Sequence, residues 1–340
     1  MDRSTAPSTL PAPLGTRVLG LLWQNAALLV VILALLVGLK LWVPAFFTVR
    51  NMEALALSVS TVGMVACTML FCLASGDFDL SIESVVAASG VLAAVLINAT
   101  DSVPMGIAGG VLAGGIVGLV NGVLIAKLRI NALIATLATM QIVRGLGFII
   151  SKGEAVAIYN DRFFPLGTGT IGPIPNPVFI TLLCFLFFGI LLVRTTLGPN
   201  TLAIGGNAEA ARLAGIPVDR LKILIFTMQG LMAGLAGVVL AARMTSGQPN
   251  CSVGLSLDVI SACVLGGVSL SGGVGTIHGV IIGVLVMGAV QNAMNLRNVE
   301  TFYQYVARGL ILLAAVLFDQ IRRGQGAGLW RQVRRWFPVG

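Results

Sequence analysis

The chain has 340 residues, 57% of them hydrophobic and 10% charged, with a mean hydropathy of +0.97. That apolar content exceeds the needs of one water-soluble core and places the chain in a bilayer, and its continuous apolar runs exclude an alternating-strand barrel. The net charge of +8 gathers at the edges of apolar runs, where lipid headgroups and topology account for it better than nucleic acid does. Forty-two glycines predict closely packed helices. Of five cysteines, Cys67, Cys72, Cys184 and Cys263 sit in apolar runs and Cys251 in a polar loop, so no disulfide framework is implied.

In chain order, Met1 to Leu14 is rich in Ser, Thr, Pro and Ala and reads as part of a disordered lead, residues 1–22, without the pattern of a cleavable signal. A single membrane domain is expected over 23–320, followed by a basic tail, 321–340. The first apolar span covers about 25–43. The second, 54–74, leads into an acidic turn with Asp77, Asp79 and, just beyond it, Glu83. Spans three and four cover 82–97 and 105–126; in the fourth, Gly106, Gly110, Gly114, Gly118 and Gly122 recur every four residues. Unless these glycines merely accumulate, as they do in membrane helices, they form a groove on one face that another helix crosses at close range.

The fifth span, 130–150, carries Gln141 and Arg144 one turn apart. A stretch with four prolines, 151–177, follows as a structured or mobile loop outside the bilayer core. Span six is 178–193, a polar cytoplasmic loop is expected at 199–218, and span seven is 223–242. After a polar loop, 243–256, come a short run, 257–268, a turn at 269–275, a ninth span to about 296 and a tenth at 303–318. Ten spans are therefore expected, an all-α bundle in which the second and eighth are broken or packed inside. Cys72 to Ser81 and Cys263 to Ser271 resemble one another faintly, as a parallel repeat or by chance. With the N-terminus inside, thirteen Lys and Arg fall in cytoplasmic segments against six outside, which puts both termini and the 199–218 loop in the cytoplasm.

Several short motifs lead nowhere. Leu270-Ser271-Gly272-Gly273 looks like a nucleotide-sensing signature and Gly167 to Gly172 fits GxGxxG, but the chain has no GxxxxGK[ST] loop and neither motif opens a helix that would hold phosphate. No bound nucleotide, metal or other cofactor is expected. His278, the one histidine, is expected as a packed polar residue of span nine. Asp77, Asp79 and Glu83 form either a cation or proton site or, at a cytoplasmic turn, a helix cap in which Asp79 and Ser81 favour the start of span three. Gln141 with Arg144, Gln291 with Asn295, and Gln304 with Arg308 each share a helix face; they line a translocation path for a hydroxyl-rich solute or act as interhelical glue.

The polar segment between spans six and seven carries Glu209-Ala210-Ala211-Arg212-Leu213-Ala214-Gly215, a short helix with a Gly/Pro stop that would lie on the membrane surface as a docking knob. Glu209, Ala210, Ala211 and Gly215 match EAAxxxG, the first part of the loop by which permease subunits of ABC importers engage their ATPase. The later I-x-L-P of that loop is absent in that form; Ile216 and Pro217 follow the glycine directly. With GDFDLS, INALIATLATMQIVRGL and ARMTSGQP, the chain from about Asn25 to Asp319 resembles the sugar branch of those permeases, closest to the L-arabinose ABC-importer permeases.

The resemblance implies the inner-membrane subunit of a bacterial ATP-driven importer for a monosaccharide, and the sugar it points to is L-arabinose. It also implies a second permease copy, two ATPases that use ATP and magnesium, a periplasmic sugar-binding protein, and no catalysis by this chain. Glu209 would cap the knob or pair with a basic residue of the ATPase, Ala210, Ala211 and Gly215 would allow close approach, and Arg212 would face the partner or a lipid phosphate. A secondary transporter driven by an ion gradient is the rival reading, with the acidic turn as its coupling site.

Overall fold

A computed structural model describes residues 37–322. The expected lead, most of the first span and most of the basic tail lie outside the described residues. The chain divides into two compact units, residues up to Asn51 and residues from Met52. In the first, residues 37–42 are helical, Leu39, Val43 and Phe46 are buried, and the Asn51 amide donates to the Phe46 carbonyl at 2.7 Å.

The long helices are α1 (Val49–Ala74), α2 (Ile82–Thr100), α3 (Val103–Ala126) and α4 (Ala132–Ser151). A small ordered region follows, with strand β1 (Val156–Ala157), a 3-10 turn, α5 (Pro165–Thr168) and the hairpin β2 (Thr170–Ile171) and β3 (Ile174–Pro175). Then come α6 (Asn176–Arg194), α7 (Leu197–Gly206), α8 (Ala208–Leu213), α9 (Val218–Met244), β4 (Ser246–Gly247), α10 (Leu255–Leu265), α11 (Ile277–Leu296) and α12 (Thr301–Arg322). Seven of these helices are long and apolar enough to cross a membrane, and α10 and part of α12 are shorter apolar helices. The crossing windows of α1, α2 and α9 are at least 61% buried, against 28% for α3, α4 and α6, so the first three form the inner layer and the others turn apolar faces outward.

The fourth-span glycines meet the helix they predict. A side-chain carbon on Gly114 would strike the Gly230 carbonyl, and one on Gly118 the Phe226 carbonyl and the backbone of Gly230; Gly122 lies on Ile223 and Gly110 on Ser89 and Val238. Two helices whose backbones touch have no room for a methyl group, which is why the period of four is kept on α3 and answered by Gly230 and Gly234 on α9.

The second span is one unbroken helix of 26 residues, packed inside rather than interrupted. The eighth is composite. Residue Gly247 lies on Gly90, Val91 and Ala94 of α2, whereas the Gly254 N–H reaches Glu83 at 2.9 Å, so the irregular chain between them runs back along α2 for about 12 Å before α10 begins. Of the polar loop expected at 243–256, Gly247, Pro249, Leu255 and Ser256 are buried in the bundle, while residues 243–245, Asn250 and Val253 are exposed.

The proline-rich stretch is structured. Strand β1 pairs antiparallel with β4, the Asn98 amide donates to the Ala157 carbonyl at 2.7 Å, and Phe163 and Ile158 are buried against α2 and α9. Its glycines serve turns and packing: Gly167 lies on the backbone of Ala242 and Arg243, and Gly172 has φ +61° in the hairpin. His278 is exposed near the start of α11, not packed, because the buried positions of that turn are taken by Gly279 and Val280.

The faint resemblance between 72–81 and 263–271 has a physical counterpart. Both helices end on a left-handed glycine, Gly76 (φ +84°) and Gly267 (φ +82°). The next amide returns to the fifth residue back in each: Asp77 to Cys72 and Val268 to Cys263, both at 3.0 Å. The two run parallel, since Cys263 lies on Ala66 and Gly273 on Ala74.

Replacing Gly118 by Val is expected to destabilise the fold by about 3 kcal/mol or more, because neither backbone can yield. Gly145→Ala, at a position with nothing within 4 Å, is expected to stay within about 0.5 kcal/mol. Thermal unfolding of the purified protein in detergent reads the difference.

Candidate functional site

The knob is built by its caps. Asn207, in extended backbone, accepts from the N–H groups of Glu209 and Ala210 at 3.0 Å each, and so starts α8. Gly215 (φ +84°) stops it, with the Ile216 N–H returning to the Ala211 carbonyl at 3.0 Å. The cap is thus Asn207 and not Glu209, whose carboxylate stands exposed.

Ala211 is buried with Ile204, Val218, Ile216 and Leu221, so it seats the helix on its own protein and offers no surface to a partner. Ala210, Arg212, Leu213 and Gly215 are exposed, Leu213 at 86%. Arg212 donates to Asp219 at 2.8 Å, and Lys127 approaches the other Asp219 oxygen at 3.9 Å. Arg129 joins Ala208, Glu209, Arg212 and Leu213 in lining a depression beside the knob.

The acidic turn does not form one site. Asp77 pairs with Lys222 of α9 at 2.6 Å. Asp79 accepts from the Ser81 N–H at 2.9 Å and from the Ser81 hydroxyl, and that hydroxyl accepts from the Asn121 amide at 2.9 Å. Ser81 precedes α2 but makes no side-chain cap bond to it, because its hydroxyl is engaged by Asp79 and Asn121. Burial raises both turn carboxyls above their ordinary values, Asp79 to about 6, while Lys222 opposes the shift at Asp77.

Glu83 faces elsewhere. One oxygen accepts from Arg144 at 2.7 Å and the other from the Gly254 N–H at 2.9 Å and the Ser256 hydroxyl at 3.4 Å. Among the described residues no group of three or more His, Cys, Asp or Glu is placed to hold a metal ion, and all five cysteines are free.

Of the six pathway candidates, Arg144 and Arg308 are each bound to a carboxylate. Arg308 pairs with Asp258 at 3.3 Å and lies over the Tyr305 ring, 5.7 Å from its centre. The segment from Gly254 to Asp258 lies between the two pairs, contacting Glu83 at one end and Arg308 at the other. Gln291 lines a small cleft with Ser58, Val59, Met287 and Asp258. The Gln304 amide donates to Asn295 at 2.9 Å and to the Val299 carbonyl at 2.8 Å, a bond between α11 and α12 that fits glue. Gln141 is exposed one turn before Arg144. Asp258 was missed; a single carboxylate in an apolar run was the signal for it. Lys222, four residues into α9, has no local sequence signal that names its partner.

Long apolar helices, glycine-mediated helix crossings and buried ion pairs define a polytopic α-helical membrane protein. The chain matches over residues 51–316 the family model described as branched-chain amino acid transport system / permease component. It is 58% identical over 324 residues to the L-arabinose ABC transporter permease protein of Azospirillum brasilense, covering 94% of this chain and 96% of that one. It is 56% identical over 320 residues to the L-arabinose transport system permease protein of Escherichia coli K12, covering 94% and 98%, and 39% identical over 280 residues to the ribose import permease protein of Bacillus subtilis, covering 82% and 87%. No solved structure matches. The chain belongs to this family of transport-system permease components.

Removing Arg144 alone leaves Glu83 charged and poorly exposed. Arg144→Ala is expected to cost about 3 kcal/mol, and Arg144→Gln with Glu83→Gln distinctly less; chemical or thermal unfolding of both variants in detergent reads this.

Proposed function

We propose that this chain is the membrane-spanning subunit of an ATP-driven importer that moves L-arabinose from periplasm to cytoplasm. The observation that carries the reading is its identity of 56–58% over nearly the whole length to permeases named for L-arabinose, against 35–39% to those named for ribose. The capped, solvent-facing knob adds the docking element that an importer without its own nucleotide site requires.

In this reading two copies of the chain enclose the pathway and two ATPases dock on the knobs. A periplasmic binding protein supplies the sugar, and the chain itself catalyses nothing. About ten membrane helices result if the first apolar span, most of which lies outside the described residues, is counted with the seven long and two short helices. Both termini are assigned to the cytoplasm. The ends joined by Lys127 with Asp219, Asp77 with Lys222 and Gly273 with Ala74 all lie beside the knob, and Arg194, Arg212, Arg220 and Lys222 lie in or flank its loop.

Glu209, Arg212 and exposed Leu213 form the ATPase contact, with Ala210 and Gly215 leaving room for it. Arg144 and Arg308, held by Glu83 and Asp258, present guanidinium donors along the path, and Gln141 and Gln291 present amides; such weak polar contacts let a sugar enter and leave. Selection of L-arabinose rests chiefly with the delivering protein.

The test is ATP hydrolysis by the assembled complex. L-arabinose with its binding protein is expected to stimulate hydrolysis, and D-ribose not. Glu209→Lys is expected to lower the stimulated rate about tenfold, the cost of reversing one interfacial charge. Equal stimulation by both sugars would set aside the L-arabinose assignment, and an unchanged rate in Glu209→Lys would remove that residue from the contact.

A further inference from the structure

The proposed docking role gives the knob a force to receive, and the residues that flank it show where that force goes. On its N-terminal side, Gly205 and Gly206 precede the Asn207 cap by two positions and one. A side-chain carbon on Gly205 would strike the Ala74 carbonyl and the Gly273 amide. Gly272, at φ +82°, would likewise meet Gly205, at 2.7 Å from its Cα, and the Gly76 amide at 3.0 Å, and the Gly273 N–H donates to the Ala74 carbonyl at 2.9 Å. The end of α1, the end of α7 and the 269–275 turn are therefore in bare backbone contact, with no flexible side chain between them.

On its C-terminal side, α9 carries Lys222 to Asp77, with the two side chains only 18% and 11% exposed. The knob is thus joined from both flanks to the same turn, 75–81.

We propose that Lys222 and Asp77, with the Gly205–Gly272 contact, form a clasp that delivers motion of the 208–213 knob to the turn before α2, and that both are positioning residues for coupling ATP hydrolysis to sugar movement. The inference rests on the importer reading. Displacing the knob without the turn would separate a largely desolvated ion pair and open a backbone contact that has no slack, so the two move together. The turn passes the displacement on within six residues: Asp79 holds Ser81, Ser81 holds Asn121 of α3, and Glu83 holds Arg144 of α4 and the chain at Gly254. The clasp gives a structural role to both the LSGG turn and the acidic turn singled out in the sequence.

The test counts L-arabinose molecules taken up per ATP hydrolysed by the purified complex of this chain, its ATPase and its binding protein in proteoliposomes. The variants are Lys222→Gln, Asp77→Asn and the two together. Each single change is expected to lower the ratio about tenfold, with no further fall in the double variant, because one linkage is broken only once. ATP hydrolysis persists in all three.

The double variant leaves no uncompensated buried charge and decides the question where a single variant does not assemble. A wild-type ratio in the assembled double variant overturns the clasp and reduces the pair to a stabilising contact. A wild-type complex that hydrolyses ATP but takes up no sugar refutes the importer reading itself, a result separate from any comparison among variants.

Discussion

The close approach of α3 and α9, glycine against backbone carbonyl, is the constraint on which the other features depend. Inside a bilayer there is little hydrophobic gain from joining two apolar helices, so the contact relies on dispersion and on excluding lipid from a surface without side chains. Gly114 and Gly118 on one helix meet Gly230 and Gly234 on the other, which fixes the height of α9. That height brings Lys222 to Asp77, and the knob that α9 carries at its start is placed with it.

Ionisable groups at helix ends follow a single pattern: each carboxylate that packing takes out of water is given a cation or several donors. Asp77 has Lys222, Asp258 has Arg308, and Glu83 has Arg144 with two further donors. Such pairs are poor sources of stability, because desolvation offsets much of the attraction. Their value is geometric. Each ties together elements far apart in sequence, and the Glu83 and Asp258 pairs both border the irregular segment that runs back along α2, where ordinary helix packing has least to hold.

Much of this was legible in the sequence. The four-residue glycine period on α3 named a crossing face, and EAARLAG with its Gly/Pro stop named a short helix. Other features depended on partners that a sequence does not pair. Asn207 rather than Glu209 caps the knob, since a cap is decided by which residue holds extended backbone, and Ala211 faces inward because Ile204 and Val218 close over it. Asp77, Asp79 and Glu83 are close in sequence, yet the chain turns between them: Asp77 pairs with α9, Asp79 holds Ser81 of its own turn, and Glu83 pairs with α4. The eighth span read as short because part of the descent, 248–254, is not helical, and hydropathy carries no sign of irregular chain packed beside α2.

The central claim is that sugar movement through this chain is driven by ATP hydrolysed on a docked partner. Uptake of radiolabelled L-arabinose into proteoliposomes holding the chain, its ATPase and its binding protein, with ion gradients collapsed, tests it most directly. The account predicts uptake only when ATP and both partners are present. Uptake by the chain alone under a proton or sodium gradient would contradict it, and would make the buried carboxylates of the 75–81 turn the coupling site instead.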